Sequence, residues 1–393
     1  MPIKTERSQI KELLTRGVDE VIDKAHLERQ LLSGKKLRVK LGIDPTSPNL
    51  HLGRSVPLLK LRDFQELGHK VVFIVGDFTG LIGDTSDKEA ERPMLDKKTV
   101  QKNLKQYKKQ VGMLLDLKKV EFRFNSEWLK KLNYADVGEQ ADLFSLAEFI
   151  ARDNIKRRLD AGKRISLREV LYPLMQGYDS VAVKANVELG GTDQRFNLLA
   201  GRELQKHFGQ EPQDIVMNPL VEGTDGRKMS SSWGNTINFT DESSEMYGKV
   251  MSVGDDLIVR YFEYFTRVSM GEVKKIGIGM KNGGNPKDAK MRLAKEIVRM
   301  YHGEKKAVEA EAQFVNTFSK KEMPDDIPEL KPSAYDIVSI LVESTFCSSK
   351  TDARRAIEQG GVKVNGEKIL SSDVVVKRGD VVQKGKRFFV CVL

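Results

Sequence analysis

Between residues 37 and 75 the chain changes period in an order that few architectures accept. Leu37, Val39, Leu41 and Ile43 are apolar at every second position, which is the period of a strand. Asp44-Pro45-Thr46-Ser47-Pro48-Asn49 is a run of turn formers. Gly53 to Leu67 reads as a helix stopped by Gly68. Lys70-Val71-Val72-Phe73-Ile74-Val75 is then a short apolar run, consistent with a buried parallel strand. Further strands are expected at 119–124, 186–189 and 214–217, with helices at 96–115, 167–184 and 192–208. This alternation implies a doubly wound parallel sheet, whose ligands bind beyond the carboxyl ends of the strands. His51, the 76–84 loop and the 190–194 loop should converge there.

The alternation does not run the whole length. Residues 1–33 read as one amphipathic helix with Ile10, Leu13, Leu14, Val18, Val21 and Ile22 on its apolar side. Strand signals fade after about residue 235, and 240–322 read as several helices, Pro286 to Tyr301 among them. Prolines and charges over 321–332 suggest a linker. The last segment reads as a small α+β unit, with helices near 334–344 and 349–359 and an Asn365-Gly366 hairpin turn. The expected organisation is an α/β Rossmann-like domain over 1–235, an α-helical domain over 236–322, a linker over 323–332 and an α+β module over 333–393. Residues 331–393 carry eleven Lys/Arg against seven Asp/Glu, a net +4. Lys350, Arg354 and Arg355 fall at spacings that can share a helix face and follow a phosphate backbone. A merely solvated face is the plainer alternative.

Bulk composition narrows the class. The 393 residues are 31% charged and 39% hydrophobic, an ordinary soluble profile. No apolar run reaches membrane-spanning length, and Met1 to Arg7 lacks the apolar core of a signal peptide, so a cytoplasmic protein is expected. The two cysteines, Cys347 and Cys391, have no CxxC spacing, which argues against zinc and suits a reducing compartment. A net charge of +10 favours a polyanionic partner, with RNA the natural candidate.

Three segments carry chemistry. His51-Leu52-Gly53-Arg54 lies where a strand turns into a helix, and a helix N-terminus attracts anions. Gly223 to Asn235 is rich in glycine and serine and holds Arg227 and Lys228, so it reads as a mobile cationic loop able to close over a triphosphate. Alone, the first is an ordinary βα turn and the second a solvated loop; their joint occurrence gives them weight. Tyr172, Gln176 and Asp179 sit at i, i+4 and i+7 of one expected helix, beside Leu171, Leu174, Met175 and Val181. Polar groups and a carboxylate in an apolar wall suit an amino-acid pocket.

With these residues in hand, the sequence resembles class I aminoacyl-tRNA synthetases, and specifically the bacterial tyrosyl-tRNA synthetases. His51 to Arg54 looks like their "HIGH" signature and Lys228 to Ser232 like "KMSKS". Thr79-Gly80-Leu81-Ile82-Gly83-Asp84, the Tyr172/Gln176/Asp179 set and Gly190-Gly191-Thr192-Asp193-Gln194 narrow the match. The C-terminal unit resembles the ribosomal S-four-type RNA-binding module.

The resemblance implies a catalytic domain over 1–235, with a connective and dimer-interface segment near 116–185, followed by tRNA (anticodon) binding by 236–322. It implies His51, Arg54, Lys228, Lys88 and Arg92 as the phosphate-handling catalytic set. It places Asp44, Gly53, Gly191, Asp193, Met229 and Ser231 with them at ATP. Lys40, Thr79, Asp84, Tyr172, Gln176, Asp179 and Gln194 would bind tyrosine. The implied reactants are L-tyrosine, ATP with Mg2+ and tRNA(Tyr), in a homodimer without zinc or membrane. Three positions depart from the pattern: Arg54 replaces a histidine, Ser231 a lysine, and Lys40 stands where a tyrosine often meets the substrate hydroxyl. A tryptophan-activating enzyme and a catalytically silent RNA-binding relative remain as rival readings.

Overall fold

The computed structural model describes residues 2–83, 97–319, 327–385 and 388–393, without the side chains at 97, 104 and 317–319. The chain forms two compact units, Met1–Val308 and Glu309–Leu393.

The first unit is built on a six-stranded sheet of order β1-β6-β5-β2-β3-β4. Its strands are β1 (Glu20–Ile22), β2 (Arg38–Ile43), β3 (Lys70–Val75), β4 (Val120–Phe124), β5 (Val187–Gly191) and β6 (Asp214–Asn218). All pairings are parallel except β1 against β6. Val71, Val72, Phe73 and Ile74 of β3 are fully buried, as a strand covered on both faces requires. From β2 the chain steps to β3 on one side and later returns to β5 on the other. That reversal opens a crevice beyond the ends of β2 and β5.

The helices in chain order are α1 (Arg7–Leu13), α2 (Lys24–Leu32), α3 (Leu52–Glu66), the single turn α4 (Thr79–Ile82) and α5 (Lys97–Val111). Short helices follow: α6 (Ser126–Leu129), α7 (Tyr134–Ala141), α8 (Leu146–Ile150) and α9 (Asp153–Asp160). Helices α10 (Leu167–Val183) and α11 (Arg195–His207) pack together, and Gly177 meets Gly201 so closely that a Cβ on Gly177 would lie 3.0 Å from the Gly201 nitrogen. Helix α10 starts at a capping box in which Ser166 accepts from Arg168 N and Glu169 reaches back to Ser166 N.

One expectation fails at the N-terminus. Residues 1–33 are not one helix: α1 ends at Leu13, Gly17 adopts a left-handed φ of 59°, and β1 pairs antiparallel with β6 before α2 begins. Val21 and Ile22 fit a helical stripe, but they serve as an edge strand. His26 on α2 then reaches Asp214 of β6 at 2.9 Å, stapling the helix to the sheet.

Beyond the sheet lie α12 (Ser243–Met251), α13 (Ile258–Phe265), α14 (Met270–Lys281) and α15 (Pro286–His302), and α16 (Glu304–Ser319) runs across the division between the two units. Tyr247, Tyr261, Phe262 and Phe265 are fully buried among them. Pro286 at the first turn of α15, with Asn285 capping Lys287 N, explains where that helix begins.

In the second unit, α17 (Ile337–Glu343) and α18 (Lys350–Glu358) accompany a sheet of order β7-β11-β10-β8-β9. Its strands are β7 (Glu329–Leu330), β8 (Val362–Val364), β9 (Glu367–Lys368), β10 (Val381–Lys384) and β11 (Phe388–Val392). Asn365 and Gly366 are both left-handed, as the β8–β9 turn demands. Glu329 and Leu330 were expected in a linker, yet they pair with Cys391 and Val392. Lys350, Arg354 and Arg355 are exposed on α18, while Ala353 and Ile357 face the module's core.

Candidate active site

Strand β2 ends at Ile43 and β5 at Gly191, and the crevice of about 360 Å3 lies beyond them. Its lining includes Asp44, His51, Gly53, Arg54, Tyr107, Gly191, Asp193, Gln194, Lys228, Met229 and Ser230 to Ser232. His51 and Lys228 therefore face one cavity. His51 caps α3 in an extended conformation and is fixed by a two-sided bridge: Leu52 N donates to Ile237 O and Phe239 N to Leu50 O, each at 2.9 Å. Burial pushes its pKa down to about 3, with the Arg54 and Lys228 charges adding to the shift. The imidazole is thus neutral near pH 7, a hydrogen-bond donor and not a cation. Its Nδ1 has no hydrogen-bond partner among the described residues.

The loop bearing Lys228 is more ordered than its composition suggests. Asn235 Nδ2 donates to Asp225 Oδ1 at 2.7 Å and to Lys228 O at 3.1 Å, and its Oδ1 accepts from Ser230 N at 2.9 Å. Arg227 stacks on Trp233, 4.8 Å from the ring centre, and pairs with Asp225. Lys228 Nζ lies 3.0 Å from Asp193 Oδ2. Met229 is buried, and its Sδ accepts the Gly53 N–H at 3.2 Å.

A second hollow continues inward, lined by Asp44, Thr79, Asn125, Tyr172, Gln176, Asp179, Glu188 and Gln194. Asp44, Arg54, Gly191, Asp193 and Gln194 line both, so the two spaces adjoin. Asp44 is the joint: Thr79 Oγ1 donates to it at 2.7 Å and Tyr172 OH at 2.9 Å. Gly76 makes this possible, since a Cβ there would collide with both Asp44 and Thr79. Deeper in, Asp179 accepts from Trp128 Nε1 at 2.7 Å and Asn125 Nδ2 at 3.3 Å. Burial pushes its pKa up to about 7, against the pull of Lys40 and these donors. Asn197 Nδ2 bonds both Gln176 Oε1 and Gln194 Oε1 at 3.0 Å.

The family description "tRNA synthetases class I (W and Y)" matches residues 32–319, and "S4 domain" matches 337–382. The chain belongs to this synthetase family. A tyrosine–tRNA ligase of Moorella thermoacetica is 47% identical to this synthetase over 387 residues, covering 96% of this chain and 94% of that one. That of Thermotoga maritima is 46% identical, covering 98% and 97%. In fold, the synthetase is similar to a truncated mitochondrial tyrosyl-tRNA synthetase of Aspergillus nidulans. The TM-score there is 0.68 at 22% identity, with 80% of this chain and 95% of the other covered. The Archaeoglobus fulgidus enzyme complexed with L-tyrosine gives 0.63 at 23% identity, covering 78% and 100%.

The synthetase brings together every expected nucleotide-site residue that is described: Asp44, His51, Gly53, Arg54, Gly191, Asp193, Lys228, Met229 and Ser231 all line the crevice. Thr79, Tyr172, Gln176, Asp179 and Gln194 line the inner hollow. Asp84, Lys88 and Arg92 lie outside the described residues. Lys40 needs correction: it does not line the hollow but is fully buried behind it, with its ammonium 2.9 Å from Glu188. Asn125, Trp128, Glu188 and Asn197 were missed. Glu188 carried a signal, being the one acid in the expected 186–189 strand, which needs a buried partner. Asn125 and Trp128 carried none, because Asp179 lies more than fifty residues further along the chain; Asn197 has one near partner, Gln194, but its bond to Gln176 spans 21 residues.

Proposed function

We infer that this synthetase is a tyrosine–tRNA ligase: it joins the L-tyrosine carboxylate to the α-phosphate of ATP, releasing pyrophosphate and leaving tyrosyl-adenylate, and then passes the tyrosyl group to a ribose hydroxyl of the 3′-terminal adenosine of tRNA(Tyr), releasing AMP. The observation that carries this is the continuity of the two hollows. A carboxylate able to receive a phenol lies at the inner end, and His51 and Lys228 face each other's space at the outer end.

In this reading the tyrosine ring enters the inner hollow and its hydroxyl donates to Asp179. Tyr172, Gln176 and Asp44 receive the ammonium, and Gln194 lies by the carboxylate. That carboxylate attacks the ATP α-phosphate. It is already ionised, so no general base is needed, and the protein contributes position and charge. His51 donates as a neutral imidazole. Lys228 exchanges Asp193 for the phosphates, which frees Asp193 for the ribose. Arg54 stands at the mouth in support. ATP arrives as its magnesium complex, held mainly through phosphates and waters. Phenylalanine is rejected because it leaves Asp179 and its donors without the hydroxyl they are built around.

The RNA-facing work falls to the helical region and to α18 of the C-terminal module, through Lys350, Arg354 and Arg355. A homodimer is supported by exposed apolar side chains in and beside the connective segment: Tyr134 at 97%, Leu167 at 76% and Leu146 at 62% exposure. Among the described residues no helix is long and apolar enough to cross a membrane, which fits a cytoplasmic enzyme.

The test is ATP–pyrophosphate exchange against a panel of amino acids, followed by aminoacylation of tRNA. Exchange with tyrosine alone is expected. Exchange with tryptophan instead, or with none, overturns the reading.

A further inference from the structure

Lys40 and Glu188 are directly opposite each other in neighbouring parallel strands β2 and β5. Their side chains are 0% and 1% exposed. The Lys40 ammonium donates to Ser180 Oγ at 2.7 Å and to Gln176 O at 3.1 Å, besides pairing with Glu188. Glu188 also accepts from Ser180 Oγ at 3.0 Å, from Gln176 Nε2 at 3.4 Å and from Gln213 Nε2. All three Lys40 protons and both Glu188 oxygens are thus used.

A pair of this kind is an expensive way to stabilise a sheet. Withdrawing two charges from water costs about what their attraction returns, and apolar residues of similar volume often do as well. The network's outlets give it another purpose. It grips the backbone and the side chain of Gln176, and Glu188 itself lines the hollow. The charged groups acting on Asp179 are Lys40 from β2, which favours its ionised form, and Glu188 from β5, which opposes it; Trp128 and Asn125 supply its hydrogen bonds.

We propose that Lys40 is a positioning residue for amino-acid selection: joined to Glu188, it holds Gln176 in place and fixes a positive charge behind Asp179, so that the hollow receives a phenol in preference to a phenyl ring. Lys40 touches no substrate and acts through Glu188, Gln176 and Asp179. The proposal rests on the tyrosine reading above.

The test compares Lys40→Met, Glu188→Gln and the double variant in pyrophosphate exchange, alongside thermal unfolding. Each single change strands a buried charge and should lower Tm by about 10 °C. The double variant, with neither charge, should regain most of that. A purely structural pair predicts that tyrosine use recovers with it. Our proposal predicts that it does not: the tyrosine KM stays about tenfold high, the ATP KM is unchanged, and the tyrosine-to-phenylalanine ratio of kcat/KM falls by about tenfold.

Wild-type tyrosine KM and selectivity in the double variant would overturn the proposal. Should Lys40→Met fail to fold, Ser180→Ala keeps both charges while cutting their hydroxyl link; it should raise the tyrosine KM about threefold with little change in Tm. An unchanged KM there counts against us. A wild-type enzyme that does not exchange with tyrosine sinks the functional reading instead, so the two failures are distinct.

Discussion

The inner hollow and the outer crevice adjoin, yet they are built on opposite terms. Around the hollow, Asp179, Gln176 and Glu188, with Lys40 buried behind them, are locked by partners from five elements: β2, β5, α6, α10 and α11. In the crevice the key groups hold interim partners. Lys228 rests on Asp193, and the Gly53 N–H rests on a methionine sulfur. Choosing a substrate needs groups that cannot relax when the wrong molecule enters, because an unpaired buried group is what penalises it. Moving charge from ATP to pyrophosphate needs groups that can change partner. The difference is one of task.

That division can be broken by experiment. The largest effect is expected at the crevice: His51→Ala and Lys228→Ala should each slow tyrosine-dependent exchange about a hundredfold while leaving the tyrosine KM near normal. A matching rise in tyrosine KM would show that the two regions are not separate. Next, Asp179→Asn should cost about tenfold or more in kcat/KM for tyrosine, with ATP binding unaffected. Smaller still is a pH effect. With the Asp179 pKa pushed up to about 7, the ionised acceptor is lost as pH falls through that value. The wild-type tyrosine KM should rise below it, and the Asp179→Asn profile should be flat; parallel profiles would assign the titration elsewhere.

The smallest effect lies away from both regions. The hydrogen bond to Asp214 raises the His26 pKa above 6.5, while burial raises that of Asp214 despite the imidazole. The stabilisation carried by His26 is therefore complete below pH 6.5 and is lost as pH climbs through its raised value. His26→Ala should remove that slope, worth below about 1 kcal/mol in chemical denaturation, with exchange unaltered.

Sequence and structure part company where partners are distant. Strands β2 to β6 begin and end within two residues of their expected limits, because apolar runs announce themselves locally. The helix expected over 96–115 stops at Val111, where Gly112 follows and a 3₁₀ turn and β4 must be reached. The three-residue β1 was invisible inside a helical stripe. Of the site, the residues on short motifs could be read directly. Lys40 could have been read differently: the apolar alternation at 39, 41 and 43 leaves it on the other face of a strand that is covered on both sides, so it had to be buried and paired. Trp128 behind Asp179 could not, since nothing in Ser126-Glu127-Trp128 points 51 residues ahead.

The opposed positions of Lys40 and Glu188 also bear on how such a chain can change over generations. Either residue replaced alone strands a charge in the interior, so a lineage cannot cross by single steps without passing through a poorly folded ancestor. The two codons are bound to one fate. Any drift toward a different side-chain appetite has to begin elsewhere in the wall or alter both at once.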